Sequence, residues 1–161
     1  MKLFILFILF ILFIFNSETF KNIIVNSKSS CVKKYKIDTQ KNKIYKYYPS
    51  IWNINMIKKN YNKYLKNWDF VPRMKFYEDK LIIEEDYYEH RLNKYNKPKD
   101  YKEQLLKIDK TIKSVKMFHN DYLPYHFYVK DDKIYLIDYN NFYDYEKFDR
   151  NNIYKVINKL K

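Results

Sequence analysis

MFHNDYLPYHFYVKDDKIYLIDYNN, residues 117–141, holds the densest group of reactive side chains in the sequence. Two apolar and aromatic runs, Phe127–Val129 and Lys133–Ile137, flank a polar tripeptide at 130–132. This pattern predicts two short strands around a tight turn. Polar residues lie at the outer end of each run, and antiparallel pairing would bring those ends together. The stretch therefore predicts one site built from four side chains: His119, Asp121, His126 and Asp138.

The residue types in this predicted site suit a divalent cation and a proton acceptor. Carboxylates are hard oxygen ligands, and a carboxylate or an imidazole can accept a proton from a reacting hydroxyl. An ordinary surface hairpin with polar turns is the simpler alternative, because Asp and Asn are abundant in the chain. Two of the three histidines nevertheless fall in this stretch, which favours a functional site.

The order of these residues resembles the catalytic loop and metal-binding tripeptide of the protein-kinase-like superfamily. The closest likeness is to its small atypical branch, which includes lipopolysaccharide, RIO-type and aminoglycoside kinases. In that pattern an H-x-D loop with a following Asn precedes a short hairpin and the tripeptide D-F-G. The matching residues here are His119-Asn120-Asp121, Pro124, His126 and Ile137-Asp138-Tyr139-Asn140.

The resemblance implies an ATP-dependent phosphotransferase with Mg²⁺ or Mn²⁺ and a hydroxyl-bearing acceptor of unknown class. Asp121 would be the catalytic base, and His119 would hold its loop in place. Asp138 would be the main metal ligand. His126 would be a second metal ligand, at the position where the family has Asn.

Earlier segments carry the nucleotide-binding residues that the resemblance implies. Strands at 21–25 and 31–37 would form the phosphate-loop hairpin, with Val32 covering the adenine. Lys46, in a third strand at 43–48, would contact the α and β phosphates. Two further strands, at 70–77 and 80–85, would lead to a hinge at 83–88. Main-chain groups around Glu85 would meet the adenine edge there.

The implied fold class is α+β, with a kinase-like arrangement of two lobes. A small β-rich amino-terminal lobe with its hinge would occupy residues 20–88, and a reduced helical carboxy-terminal lobe would occupy residues 89–161. Apolar periodicity predicts helices at 51–68 and 100–116, and a last helix is expected at 151–161. His90 is expected at the surface, in a helix start or loop.

Four departures from the family pattern leave the activity open. The phosphate loop has no Gly, no acidic residue lies between Lys46 and Asp69 to pair with the lysine, and His126 replaces Asn. Asn140 replaces the last Gly, which is a mild change because Asn tolerates positive φ. One alternative is a catalytically inactive, pseudokinase-like binding module tethered to a membrane. Another is a small basic membrane-associated protein without a nucleotide site.

The remaining features of the sequence concern location and partners. Residues 1–15 form an apolar run that resembles a signal sequence or membrane anchor, and we assign residues 1–19 to it. The run predicts membrane association or the secretory pathway, with the orientation open. The net charge of +13 comes from lysines spread along the chain, which disfavours nucleic acid as the main partner. Cys31 is the single cysteine, so no internal disulfide can form.

Overall fold

A five-stranded antiparallel sheet dominates the first half of the chain. The computed structural model describes residues 22–26, 32–144 and 152–161, and it has the α+β architecture that the sequence predicted. The sheet has the spatial order β1-β2-β3-β5-β4. Its strands are β1 (Asn22–Asn26), β2 (Lys34–Asp38), β3 (Lys43–Tyr47), β4 (Met74–Tyr77) and β5 (Ile82–Asp86).

The pairing register of β3 and β5 decides which side chains share a face of the sheet. Lys46 lies opposite Ile83, and Ile44 lies opposite Glu85. Directly paired residues point to the same face, and residues two apart on one strand do so as well. Lys46 and Glu85 are therefore diagonal neighbours on one face, which we call the inner face. Glu84 falls on the opposite, outer face.

Helix α1 (Ile51–Lys63) packs beside this sheet. Its buried residues Ile54 and Ile57 form a small core with Val32, Tyr48 and Ile83. The predicted helix at 51–68 is thus five residues too long. A 3₁₀ turn at Leu65–Asn67 follows α1 and buries Leu65 in the second, larger core.

The second half of the chain is built on helix α2 (Tyr101–Ser114). Tyr101, Leu105, Ile108 and Ile112 are buried along one stripe, as the periodicity predicted. They belong to a core that includes apolar residues of the following hairpin and of the last helix, α3 (Ile153–Lys159). Residues 145–151 lie outside the described part of the chain.

Short strands frame the loop that the sequence analysis singled out. They are β6 (His90–Arg91), β7 (Phe118–His119), β8 (Phe127–Lys130), β9 (Lys133–Leu136) and β10 (Phe142–Tyr143). Strands β8 and β9 form the predicted hairpin around Asp131 and Asp132, which both have positive φ, as in a tight two-residue turn. Strand β7 pairs with β10, so the two ends of the segment between these strands lie side by side.

Several predicted boundaries change in the structure. Strand β5 continues to Asp86, so the connection to the second half is only Tyr87–Glu89 rather than 83–88. His90 is exposed as expected, but it lies in a strand that pairs with β8 and not in a helix start or loop. Within the described residues, no helix is long and apolar enough to cross a membrane. The apolar run at 1–15 lies outside the described residues, as do residues 27–30 of the predicted phosphate loop at 26–30.

Candidate functional site

A cavity of about 400 Å³ lies between the inner face of the five-stranded sheet and the polar segment that precedes and follows the β8–β9 hairpin. The sheet side contributes the apolar residues Val32, Ile37 and Ile44, followed by Lys46 and Glu85. Arg91 and the Tyr87–Glu89 connection line one side. The opposite wall consists of Tyr125, His126, Tyr128, Ile137, Asp138 and Asn140. The cavity thus has one largely apolar region and one charged region.

Lys46 forms an ion pair with Glu85 in the charged region. Its Nζ lies 2.8 Å from Glu85 Oε2, and the two residues are 9% and 3% exposed. Burial by itself lowers the pKa of Lys46, but the negative charges of Glu85 and Asp138 outweigh burial and raise it. Lys46 is therefore a buried, fully charged cation.

The role of the Glu85 side chain was not anticipated from the sequence, which assigned only main-chain contacts to this residue. Helix α1 contains no acidic residue that could pair with Lys46, as its sequence indicated. The partner comes instead from the neighbouring strand, by the diagonal relation across β3 and β5. Long side chains such as Lys and Glu can span such a diagonal pair.

His119 is fully buried at the end of β7, where the loop to β8 begins. Its Nε2–H donates to the carbonyl oxygen of Ile137 at 3.0 Å, and its ring stacks on Tyr122. Burial, reinforced by the neighbouring His126 imidazole, lowers the pKa of His119 to about 4. The ring is therefore neutral near pH 7, and its hydrogen bond links the end of β7 to Ile137 after β9.

His126 lies between the two carboxylates that the sequence analysis paired. Its Nδ1 is 2.8 Å from the carbonyl oxygen of Asp121 and must donate to it. In the neutral ring the lone pair then resides on Nε2, which is 3.7 Å from Asp138 Oδ2. The same Nδ1 is 3.6 Å from Asp121 Oδ2. The hairpin thus brings Asp121, His126 and Asp138 together.

Asp138 occupies a left-handed backbone conformation with φ 65° and ψ 59°. Asp138 has positive φ, and Asn140, at the position of the family's Gly, does not. Asp tolerates this region because its short polar side chain can bond locally, and here its Oδ1 accepts a hydrogen bond from Asn140 Nδ2. Asn140 Oδ1 in turn accepts from the Tyr48 hydroxyl at 3.2 Å, which links Asp138 to the chain segment after β3.

The Asp138 carboxylate is ionised in this setting. Burial by itself raises its pKa, but the charge of Lys46, the two imidazoles and the hydrogen bond from Asn140 outweigh burial and lower it. Asp138 is thus a negative group that faces Lys46 across the charged region of the cavity.

The described residues could supply some of the ligands of a cation that is also coordinated by a bound molecule. They do not supply a complete set of metal ligands. No group of three or more His, Cys, Asp or Glu side chains in the described part of the chain could hold a metal ion. Two donors, Asp138 Oδ2 and His126 Nε2, face each other at the cavity. Mg²⁺ and Mn²⁺ in nucleotide sites commonly take only one or two protein ligands, the others being phosphate oxygens and water.

Five of the seven site residues predicted from the sequence line this one cavity: Val32, Lys46, Glu85, His126 and Asp138. His119 and Asp121 are not among the lining residues, but each contacts one of them. His119 contacts Ile137, and Asp121 contacts His126. Arg91 also lines the cavity, which it reaches through the pairing of β6 with β8, and it was not among the residues predicted from the sequence. Its Nε donates to the Tyr128 hydroxyl at 3.0 Å. A two-residue strand leaves no periodic pattern from which that contact could be predicted.

Comparison of the sequence with models of protein families finds no matching family, and comparison with curated proteins finds no matching protein.

Proposed function

We propose that this chain is a minimal, divergent kinase-fold protein that binds ATP with a divalent cation in the cavity and transfers the γ-phosphate to a hydroxyl. One observation carries the proposal. Lys46 lies on a distant strand and was selected by the motif resemblance alone, yet it lines the same cavity as His126 and Asp138, which flank the β8–β9 hairpin. If the β8–β9 hairpin were an ordinary surface hairpin, there would be no reason for the buried Lys46, on a distant strand, to face the Asp138 carboxylate.

The order of elements supports the kinase-like fold. A β-rich first half with Lys46 on its third strand is followed by a short connection, and then by a long helix that leads into the His119–His126 loop. A hairpin separates this loop from Asp138. This is the succession that the motif resemblance predicts for the kinase-like superfamily.

The apolar region of the cavity suits a nucleobase. Val32, Ile37 and Ile44 face it from the sheet, and Ile137 faces it from the second half. A cavity of about 400 Å³ lies in the range of small-molecule sites, which are mainly apolar with a few convergent polar groups. The Tyr87–Glu89 connection also lines the cavity, and its main-chain groups would meet the edge of the base.

The charged region suits a polyphosphate only when a cation accompanies it. The described residues that line the cavity include two cations, Lys46 and Arg91, and a larger number of carboxylates, of which those of Glu85 and Asp138 face Lys46. A nucleotide phosphate alone would meet net negative charge. We therefore expect nucleotide binding to depend on a divalent cation.

Asp138 Oδ2 and His126 Nε2 would hold that cation. When bound, it would neutralise charge on the phosphates and orient them. The Nδ1–H bond to the Asp121 carbonyl keeps the lone pair of His126 directed toward Asp138. An imidazole ligand favours Mn²⁺ over Mg²⁺, because Mg²⁺ prefers oxygen.

A catalytically inactive binding module is the second candidate. It is favoured by the position of Asp121, whose carboxylate lies against His126 and outside the set of described residues that line the cavity. A protein of this kind would bind the nucleotide without turnover. The apolar run at 1–15 would tether either form to a membrane.

The test of the proposal is a thermal-shift titration of the full chain with ATP and either Mg²⁺ or Mn²⁺. A ligand at a hundred times its dissociation constant adds about 2.7 kcal/mol to the free energy of unfolding. We expect a rise in Tm that requires the metal and is larger with Mn²⁺. A Tm that neither metal changes in the presence of ATP would refute nucleotide binding, and an equal or larger rise with Mg²⁺ would refute the role of His126.

Asp121→Asn separates the two candidates. If the chain is a phosphotransferase, this variant should lose transfer from radiolabelled ATP and keep the metal-dependent Tm rise. Absence of transfer in the wild type, together with a normal Tm rise, would identify the binding module. Loss of the Tm rise in Asp121→Asn would contradict its assignment as the base.

A further inference from the structure

The Lys46–Glu85 pair differs from the other ion pairs of the described chain in its burial. Both side chains are nearly inaccessible, at 11% and 4% exposure, whereas the Lys58–Glu78 pair that joins α1 to the β4–β5 turn has 40% and 42%. An unpaired carboxylate inside a protein is costly. Glu85 therefore requires Lys46, and Lys46 requires Glu85.

The two partners are fixed by the sheet. Strands β3 and β5 pair along five consecutive positions, from Lys43 opposite Asp86 to Tyr47 opposite Ile82. The diagonal separation of Lys46 and Glu85 therefore changes only if this central strand pair changes. Helix α1 contributes no acidic residue, and none of its side chains lines the cavity within the described structure.

We infer that Glu85 is the positioning residue for Lys46, and that the lysine that contacts phosphate is oriented by the sheet and not by α1. This inference rests on the proposed nucleotide site. Glu85 touches no phosphate itself. It holds the Lys46 ammonium group at the inner face, in the cavity that Asp138 also lines.

The inference also accounts for the sequence of β5. Glu84, Glu85 and Asp86 are consecutive acids, and strand alternation directs only Glu85 to the inner face. Glu84 accepts a hydrogen bond from the Tyr77 hydroxyl at 3.0 Å and lies 3.8 Å from Lys43 on the outer face. Glu84→Gln is therefore a matched control for Glu85→Gln, since it makes the same chemical change one residue away.

The first readout is the ionisation of Lys46, which does not depend on nucleotide binding. Trace acetylation of the amine at a series of pH values, quantified by mass spectrometry, reports its pKa. We expect the Lys46 pKa to fall in Glu85→Gln. Burial lowers this pKa, and the variant removes one of the carboxylates whose negative charge raises it. We expect no change in Glu84→Gln, and partial recovery in Glu85→Asp, which keeps the charge on a shorter side chain.

The second readout is the affinity for ATP with Mn²⁺, measured on the same variants after circular dichroism has established that they fold. We expect Glu85→Gln to weaken binding by about tenfold or more, as losing one partner of a buried pair does. Glu85→Asp should lose less. Glu84→Gln and Lys58→Gln, the latter on α1, should bind as the wild type does.

The outcomes separate the inference from the proposed function. A wild type that binds no ATP with either metal refutes the nucleotide site, and the inference falls with it. A wild type that binds ATP, combined with unchanged affinity in folded Glu85→Gln, refutes only the inference. An unchanged pKa of Lys46 in that variant refutes it too. If Glu85→Gln does not fold, Glu85→Asp supplies the test, and wild-type affinity and pKa in Glu85→Asp would overturn the inference.

Discussion

The two faces of the β3–β5 strand pair carry similar ion pairs in different surroundings. On the inner face Lys46 Nζ lies 2.8 Å from Glu85 Oε2, and both side chains are almost completely buried. On the outer face Lys43 lies 2.7 Å from Asp86, and both side chains are 28% exposed. The distances are nearly equal, so distance does not distinguish the two pairs. Burial distinguishes them, because water weakens charge interactions on one face and is largely excluded from the other.

This difference shows where the chain places buried charge. A protein with 32 basic residues has many lysines that are solvated. Surface pairs of this kind contribute little to stability, whereas a buried pair couples each partner to the presence of the other. The inner pair also faces Asp138, so charged groups of both halves meet at one cavity.

The largest effect should come from breaking the inner pair. Lys46→Met leaves Glu85 buried without its partner and should lower the free energy of unfolding by about 3–5 kcal/mol. Urea unfolding followed by circular dichroism measures the change. The double variant Lys46→Met/Glu85→Leu should recover most of the loss, since no buried charge is then left alone. A loss below about 1 kcal/mol in Lys46→Met would mean that burial does not distinguish the two faces.

The second effect concerns pH and the buried ring of His119. Its pKa is about 4 in the folded protein against a usual value of 6.5, so the unfolded chain takes up this proton first as the pH falls. Stability from His119 is therefore fully present above about pH 6.5 and is lost toward pH 4, by about 3 kcal/mol in total. Urea unfolding across this range should show a flatter pH dependence in His119→Gln.

The exposed histidine of β6 provides the control for that experiment. His90→Gln removes an imidazole that lies on the surface, and it should leave the pH dependence as in the wild type. Equal pH profiles for His119→Gln and the wild type would contradict the assignment of a buried neutral ring to His119.

The smallest effect is expected on the outer face. Lys43→Met removes a half-exposed cation from Asp86 and Glu84 and should change the free energy of unfolding by no more than about 1 kcal/mol. The same urea titration applies, in low and in high salt. A loss similar to that of Lys46→Met would remove the distinction between the faces.

Local patterns explain why much of the fold and part of the site were predictable. Alternating apolar residues and a polar turn identified the β8–β9 hairpin, and the stripe from Tyr101 to Ile112 identified α2. The hairpin alone brings Asp121, His126 and Asp138 together. These features depend on residues near one another in sequence, where turn chemistry and periodicity act directly.

Contacts set by strand register were not predictable from local patterns. The Lys46–Glu85 pair requires β3 to lie beside β5 and a specific alignment of the two strands. The Arg91 contact with Tyr128 requires a two-residue strand to pair with β8. The positive φ of Asp138 depends on its bonding to Asn140 within the folded loop. Each depends on tertiary context that a single sequence does not display.

The most direct test of the account is a calorimetric titration of ATP with Mn²⁺ into the wild type and into Asp138→Asn. Asn keeps the size of the side chain and removes the charge that faces Lys46 and His126. We predict saturable, metal-dependent binding to the wild type, weakened by about tenfold or more in the variant. Equal affinity of the two proteins would contradict the account, as would a wild type that takes up no ATP in the presence of Mn²⁺.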